Sequence, residues 1–508
     1  MENKAPYKVK MIDILKGAHE VLLNKEDAEE LGLRTQDRVK VVRGKGESLS
    51  AVVDITDTLV SKGEAGAFIE LWRDLDLREG GKVYIVPTSR PASIDFVRKK
   101  IYDNAWSQEE INTIVDDIAL GKLSDIELAA YTTAVQINGM SMDEITWLTM
   151  AMVRTGETLE WESAPILDVH SIGGVPGNKY APITVSIVAA NGLTIPKTSS
   201  RAISSAAGTA DIMEVVCNVE QDGQSIKRIA QKVGGALVWG GGMNLAPVDD
   251  AIIRVEYPLS LDPHGQVLAS VMAKKKAVGA EYCVIDIPMG EGAKITTSEE
   301  AKRLARDFII LGERIGVRTR CAITYGGQPV GRAVGPALEI REVLSVLEGA
   351  KEPNSLIEKA LSLAGILLEL GRVARPDRGL ELAKKTLESG EALEKFKEII
   401  EAQGGNPDIR ADDIMPGKYT YELPSPKDGY IEAINNRAII KIARSAGSPK
   451  DKGAGITLGF KKGEGAEKGE TLFTIYAENK RKLDDAKTLA SKLQPIRIEG
   501  MVLGEVVG

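Results

Sequence analysis

Cysteine and histidine are both scarce in this chain, with three of each among 508 residues. Cys217, Cys283 and Cys321 have no paired spacing, which excludes a disulfide framework and a cysteine zinc site. Each sits among apolar neighbours, as buried thiols do. With only His19, His170 and His264 available, a histidine metal cluster is excluded too. Long apolar runs are missing: none approaches the ~20 residues that span a bilayer, so no membrane association is expected. The opening Met1-Glu-Asn-Lys-Ala-Pro-Tyr-Lys8 lacks a signal-peptide core, and a cytoplasmic location is expected. An excess of positive charge is also missing. The balance of 65 Lys and Arg against 73 Asp and Glu gives a net charge of −8, which argues against a general nucleic-acid binder. A small anionic ligand remains open, because it needs only a local positive pocket.

What is present is an ordinary globular composition, 43% hydrophobic and 27% charged. The length suits roughly two to four domains. Residues 1–88 read as a small β-rich, barrel-like domain. Its strand-like runs are Val39–Arg43, Leu49–Asp54 and Lys82–Pro87, with a short helix at Asn24–Leu31 ended by Gly32. Residues 89–160 change period and read as a helical domain, completed by about 248–278. Three capping boxes mark its helix starts: Ser107 with Glu110, Ser124 with Glu127, and Ser141 with Glu144; Gly121, Gly139 and Gly156 mark the stops.

Residues 161–247 and 279–415 alternate strand and helix. Strand candidates are Ile166–Asp168, Leu193–Lys197, Ala236–Trp239, Tyr282–Ile287 and Arg318–Thr324; one helix runs from Ser298 to Gly312. That alternation predicts an α/β domain with a central mixed or parallel sheet covered on both faces. The stretch 376–402 reads as one amphipathic helix, its apolar face formed by Leu382, Leu387, Leu393, Phe396 and Ile400. Residues 416–508 read as an α+β region with strands near Asp428–Glu432, Arg437–Ile442 and Thr471–Tyr476.

Four segments carry the chemistry. The first, Asp168-Val-His-Ser-Ile-Gly-Gly-Val-Pro-Gly-Asn-Lys179, follows a strand and precedes a helix at Tyr180–Ala190. Free backbone N–H groups and the helix dipole make such a junction an anion site, and glycine lets the backbone come close. Ser171 and Gly173 are phosphate-binding candidates here. A tight turn with no ligand would use the same glycines, and no Gly-Lys-Ser/Thr ends the loop as in a Walker motif. The second segment, Lys197–Asp211, is dense in hydroxyls around Arg201 and suits oxyanion or ribose recognition; Ser199 is a further phosphate candidate. A serine-rich surface loop is its plainer reading. In the third, Asp262 precedes Pro263 and a helix carrying Ser270 and Lys274 four residues apart. A capping aspartate and a solvated lysine are the commoner fate of such residues. The fourth, Pro288–Lys294, is a glycine turn whose Lys294 could reach a phosphate or stay in solvent.

Together and in this order, the segments resemble the thymidine/pyrimidine nucleoside phosphorylase family, and most closely its archaeal-type AMP phosphorylase branch. The likeness rests on His170-Ser-Ile-Gly-Gly174, Ser199-Ser-Arg201 with Gly208-Thr209, and Ala269-Ser-Val-Met-Ala-Lys-Lys275 followed by Gly290-Glu-Gly-Ala293. It covers about 91–508, and the N-terminal extension and Val-Pro-Gly-Asn-Lys179 are features of that branch. The resemblance implies that Gly174, Ser200, Arg201, Ala202, Ile203, Ser204, Ser205 and Thr209 bind nucleotide and phosphate. It makes Asp262 the proton donor and Ser270 and Lys294 substrate ligands. It implies inorganic phosphate as co-substrate with no cofactor or metal, and a homodimer or larger homo-oligomer.

Two departures shape the expectation. Where the pyrimidine enzymes have lysine before the histidine, this chain has Val169; Lys294 or Lys179 could supply the missing charge. Where they have an arginine fifteen residues before the motif serine, Val255 stands, with Arg254 one place off. A nucleoside 5′-monophosphate with a purine base fits better than a pyrimidine nucleoside. The expected reaction is AMP plus phosphate giving adenine plus ribose 1,5-bisphosphate. The alternatives are a thymidine or uridine phosphorylase, a phosphoribosyl transferase using magnesium pyrophosphate, for which no clear aspartate pair is present, and a binding protein on an inactive scaffold.

Overall fold

Alternating valines and small residues at the start of the chain leave one strand face to bury, and they bury it by closing on themselves. The computed structural model describes residues 5–500 except 45, 163–164, 203–204 and 244. Its contacts divide the chain into two compact units: residues 1–155 with 246–270, and 156–245 with 271–508.

In the first unit, β1 (Tyr7–Ile12), β2 (Glu20–Asn24), β3 (Arg38–Arg43), β4 (Glu47–Thr56), β5 (Glu64–Phe68) and β6 (Lys82–Pro87) form a closed barrel in the order β1-β5-β2-β4-β3-β6. The β1–β5 and β2–β4 pairs are parallel. Sequence reasoning found β3, β4, β6 and the helix α1 (Lys25–Leu31), with Asn24 as its cap and left-handed Gly32 as its stop. It missed β1, β2 and β5. In β5 the small Ala65-Gly-Ala67 core carries little strand signal, and the space at Gly66 is tight: a side-chain carbon there would lie 2.6 Å from Ile12 Cδ1, 3.0 Å from Leu22 Cβ and 3.1 Å from Val60 Cγ1. A short helix, α2 (Ile69–Asp74), closes one turn.

The capping boxes start helices where expected. After α3 (Ser93–Ile101) come α4 (Gln108–Ala119), α5 (Asp125–Asn138) and α6 (Met142–Thr155). Ser107 forms a complete box, Ser141 and Glu144 exchange the same two bonds at 2.8 and 3.2 Å, and at Ser124 the Glu127 carboxylate accepts from both the Ser124 N–H and its hydroxyl at 2.8 Å. The later stretch adds α10 (Pro247–Leu259) and the beginning of α11 (His264–Ala277).

In the second unit the strands are β7 (Leu167–Ser171), β8 (Ile195–Ser199), β9 (Gly235–Trp239), β10 (Tyr282–Met289) and β11 (Arg318–Tyr325). The pairs β11–β10, β10–β7 and β8–β9 are parallel, and a parallel bridge from Ile166 to Thr194 joins the two pieces. The helices of this unit are α7 (Tyr180–Ala190), α8 (Thr209–Met213), α9 (Gly223–Val233), α12 (Ser298–Ile315), α13 (Pro336–Leu347), α14 (Asn354–Leu370), α15 (Gly379–Glu388) and α16 (Glu391–Ala402). One expectation is corrected: 376–402 is two helices, not one. Gly390, with φ of +85°, takes the left-handed conformation that ends a helical run.

Beyond these, β12 (Ala333–Val334), β13 (Tyr419–Pro424), β15 (Gly455–Leu458) and β17 (Thr471–Ala477) form one sheet; β14 (Gly429–Ile434), β16 (Gly465–Ala466) and β18 (Ile496–Glu499) form another, beside α17 (Asn436–Ser445) and α18 (Lys480–Leu493). The expected strand at Arg437–Ile442 is therefore a helix. Asn435 accepts a bond from the Ala438 N–H as its cap, and Ile439, Ile442, Ala443 and Ala446 recur at helical spacing on its buried face.

Candidate active site

Parallel strands end together, and ligands of open α/β sheets bind beyond their carboxyl ends. His170 and Ser171 close β7, Ser199 closes β8, and β10 runs into the Gly290–Lys294 turn. Register sets Asp286 of β10 beside Ser171 and Cys283 beside Asp168.

The loop after β7 turns on Gly173, Gly174 and Gly177, all with positive φ (+78°, +86° and +68°). Its shape is held from within. The Ser171 hydroxyl accepts bonds from Gly173 N at 3.3 Å and Asn178 Nδ2 at 2.9 Å. Asn178 also donates to Asp286, which accepts from Thr324 Oγ1 and pairs with Lys359 at 2.8 Å. Lys294 packs directly over Gly174: a side-chain carbon there would stand 2.7 Å from Lys294 Cγ. Only glycine allows that approach.

A concentration of positive charge surrounds the strand end. Buried Lys275 pairs with fully buried Asp168 at 2.7 Å. Burial, followed by the charges of Lys275, Lys197, Lys274 and Lys294, pushes the His170 imidazole well below its ordinary range, so His170 is neutral at physiological pH. Lys197 is buried and donates to the Thr198 carbonyl. Burial, then the neighbouring Lys275 charge, pushes its ammonium down to about 7.

The 199–209 segment is folded around a carboxylate. Asp211 accepts from Ala202 N at 2.7 Å and Gly208 N at 2.8 Å. Ser199 Oγ donates to the Val238 carbonyl, Ser205 Oγ donates to the Ala207 carbonyl, and Arg444 donates to the Ser205 carbonyl. Ser200 is exposed, Thr209 begins α8, and Ile203 and Ser204 lie outside the described residues. Asp262 lies between α10 and α11, and α11 carries Ser270 and Lys274. Asp262 and Ser270 belong to the first unit, the loop and its lysines to the second.

One expectation changes. Lys179, a phosphate candidate by sequence, has its ammonium fully engaged. It donates to the carbonyls of Gly177, Val330 and Ala333 at 3.0, 2.9 and 2.9 Å and pairs with Glu342 at 2.7 Å. An ammonium has three donors, so none is left for phosphate. Arg201 forks onto Glu214 at 2.8 and 2.6 Å, reaches Glu220 at 3.2 Å and lies over the Trp239 ring; these bonds use three of its five donors, and the side chain stays partly exposed. The Arg201 bonds hold the Glu214 carboxyl down at about 2.

Sequence reasoning missed Lys197, Lys275, Asp286 and Lys359. A signal existed for Lys275, since Leu268, Met272 and Lys275 fall on one helical face and the two aliphatic members are fully buried. Asp286 interrupts an otherwise apolar strand. Among the described residues, no group of three or more His, Cys, Asp or Glu side chains could hold a metal ion, and no helix is long and apolar enough to cross a membrane.

With this geometry in view, comparison with known proteins is informative. Residues 94–156 match the helical bundle domain of the glycosyl transferase family, 163–393 its a/b domain, and 430–497 the pyrimidine nucleoside phosphorylase C-terminal domain. The chain is 52% identical over 501 residues to the AMP phosphorylase of Methanosarcina mazei, covering 99% of this chain and 98% of that one. It is 52% identical over 499 residues to that of Thermococcus kodakarensis, covering 98% and 99%. It is 50% identical over 502 residues to AMP phosphorylase 1 of Archaeoglobus fulgidus, covering 99% of each. Among solved structures, anthranilate phosphoribosyltransferase from Thermus thermophilus shares the fold, with a TM-score of 0.51 at 20% identity over 61% of this chain and 99% of that one.

Proposed function

Because the chain belongs to the AMP phosphorylase family, we propose that it cleaves AMP with inorganic phosphate to give adenine and ribose 1,5-bisphosphate. The observation that carries this reading is the glycine loop at the end of β7 with Lys197, Lys274, Lys275 and Lys294 arrayed around His170. A reaction that joins two anions needs positive charge fixed in advance where they meet, and preorganised charge of this kind is the largest usual contribution to catalysis.

In the proposed step, a phosphate oxygen attacks C1′ from the face opposite the base. The C1′–N9 bond breaks through an oxocarbenium-like state, its electron pair passing to the purine. Adenine is a poor leaving group as an anion, so a proton must arrive on the ring; Asp262 is assigned as the donor. Gly174, the 200–205 run, Thr209, Ser270 and Lys294 are assigned to substrate. No protein nucleophile takes part, and phosphate is the sole co-substrate. With Lys179 committed elsewhere, Lys294 is the preferred phosphate ligand in place of the lysine that Val169 lacks.

The free thiols and an apolar stripe on α5 favour a cytoplasmic homo-oligomer. Ile126 and Ile137 of α5 are 68% and 74% exposed, and Ile101, Ala130 and Ile137 line a groove of about 310 Å³. Sedimentation of the purified chain reads this directly; a monomer at micromolar concentration defeats it. The substrate reading is tested by phosphate-dependent base release from AMP, CMP, UMP, adenosine and thymidine, side by side. Release from AMP and none from the nucleosides is expected. Release from nucleosides alone overturns the reading.

A further inference from the structure

The Lys179 ammonium sits in an unusual place for a cation. Lys179 is the N-cap residue of α7, and its side chain makes no capping bond. Positive charge at a helix N-terminus is disfavoured by the dipole, so some stronger interaction must hold it there. That interaction is an oxygen cage: three backbone carbonyls, from Gly177, Val330 and Ala333, and the Glu342 carboxylate, all within 3.0 Å of Nζ. The side chain has no exposure.

Two glycines close the cage, both with φ of +68°. A side-chain carbon at Gly177 would stand 2.7 Å from the carbonyls of Val330 and Ala333 and 3.1 Å from Nζ. One at Gly331 would stand 2.2 Å from Glu342 Oε2 and 2.8 Å from Nζ. Glu342 also accepts from Arg332 N at 2.9 Å, and Lys461 donates to the Pro329 and Gly331 carbonyls, so the 329–333 turn is clasped from two sides. The turn in its own right donates Val330 N–H to the Pro176 carbonyl at 3.0 Å. Three carbonyl oxygens gathered with one carboxylate are the ligand set of a monovalent cation. Empty, they would repel one another and leave the largely buried Glu342 without its ammonium partner.

We propose that Lys179 is a built-in cation, its ammonium filling a monovalent-ion cage that fastens the downstream end of the 168–179 loop to the 329–333 turn and thereby positions that loop for phosphate. Lys179 is a positioning residue and touches no substrate. The catalytic part of the inference rests on the phosphorolysis reading above; the cage itself does not.

The test compares Lys179→Ala, which vacates the cage, with Lys179→Met, which plugs it with an uncharged chain of similar length. Each is assayed at fixed ionic strength in choline, lithium, potassium and ammonium chloride, for phosphate-dependent base release and for thermal midpoint. In choline both variants are expected to lose roughly 10²-fold in kcat/KM, as a displaced reacting group does. Potassium or ammonium is expected to restore the alanine variant saturably, chiefly through KM for phosphate. The same ions should raise its midpoint by roughly 2–4 °C. Lithium should do neither, and wild type and Lys179→Met should respond to none of the salts. An alanine variant indifferent to potassium and ammonium in both readouts overturns the proposal. So does a methionine variant with wild-type kinetics, since packing alone would then suffice. If wild type releases no base from AMP, the substrate reading fails while the midpoint shift still decides the cage. Should Lys179→Ala not fold in any of these salts, Lys179→Ser takes its place with the same deciding outcomes.

Discussion

Inside the N-terminal barrel lie Val9, Val21, Leu23, Val39, Val41, Val53, Val83 and Ile85, and among the described residues of 5–88 the buried ionisable side chains are Asp27 and Arg38. Both serve framework roles: Asp27 accepts the Gly63 N–H at 2.7 Å, and Arg38 pairs with Glu127. The second unit buries Asp168, Lys179, Lys197, Lys275, Asp286, Lys359 and Lys461. Each buried charge costs several kcal/mol of desolvation, and a well-packed apolar replacement is often as stable or more so. Of these, Asp168, Lys197 and Asp286 lie on the parallel strands and Lys275 pairs with Asp168, which is where the phosphorolysis reading puts its anions. Lys179 adds a refinement, because one of these charges organises the loop rather than meeting the substrate.

The contrast is sharpest where chemistry and packing can be read separately. Asp262→Asn is expected to lower phosphorolysis by about 10²–10⁴-fold, the usual worth of a general acid, while AMP still binds. Steady-state base release and equilibrium binding measure the two effects; turnover within a few-fold of wild type removes Asp262 as the proton donor. Next in size is Lys275→Met, which strands the Asp168 carboxylate at full burial. It should cost about 3–5 kcal/mol in denaturant unfolding. Asp168→Asn added to it should recover most of the loss, since the uncompensated charge is then gone. A single-variant cost under 1 kcal/mol would mean these buried charges are cheap, and the comparison would lose its force.

Where local physics decides, the sequence was legible. Capping boxes placed the starts of α4, α5 and α6, and apolar runs located five parallel strands. The glycine loop and the strand-end serines were found because turn chemistry and hydroxyl clustering are local signals. What escaped depends on partners far along the chain. Lys179 reads as a free lysine until the carbonyls of Val330 and Ala333, some 150 residues later, are brought to it. The pairing of Arg201 with Glu214 and Glu220 is likewise invisible until the fold brings them together. The Arg437–Ile442 run is β-branched and apolar enough for a strand; the Asn435 cap and tertiary packing made it a helix. Lys275, hidden in a run of three lysines, was buried by its helical face rather than by its composition.

A smaller effect follows from Lys197, which has been driven to about 7 in the folded chain from an ordinary lysine value of 10.5. Between those two values the unfolded chain holds a proton that the native protein lacks. Stability contributed at this site therefore rises with pH through that window, and the cost of the buried ammonium is complete below it. One proton gives a slope of at most roughly 1.4 kcal/mol per pH unit. Lys197→Met is expected to be more stable than wild type near pH 6, with the gap narrowing as pH climbs toward 10. Urea unfolding of both proteins across that range measures the gap; a constant difference would show that Lys197 is charged throughout.

The smallest effect is the control that the comparison needs. Ile85→Val removes one methylene from the barrel interior, where Ile85 is 1% exposed among Val9, Val39, Val41 and Val83. Such a deletion typically costs about 0.5–1.5 kcal/mol through lost apolar burial and a small cavity. The buried members of that cluster are all aliphatic, so the cost should be the same at pH 6 and pH 9, and kcat/KM for AMP and phosphate should stay at the wild-type value. A barrel-core variant that left stability nearly intact yet lowered kcat/KM tenfold would place part of the chemistry in the barrel interior, and the buried charges of the second unit would no longer locate it.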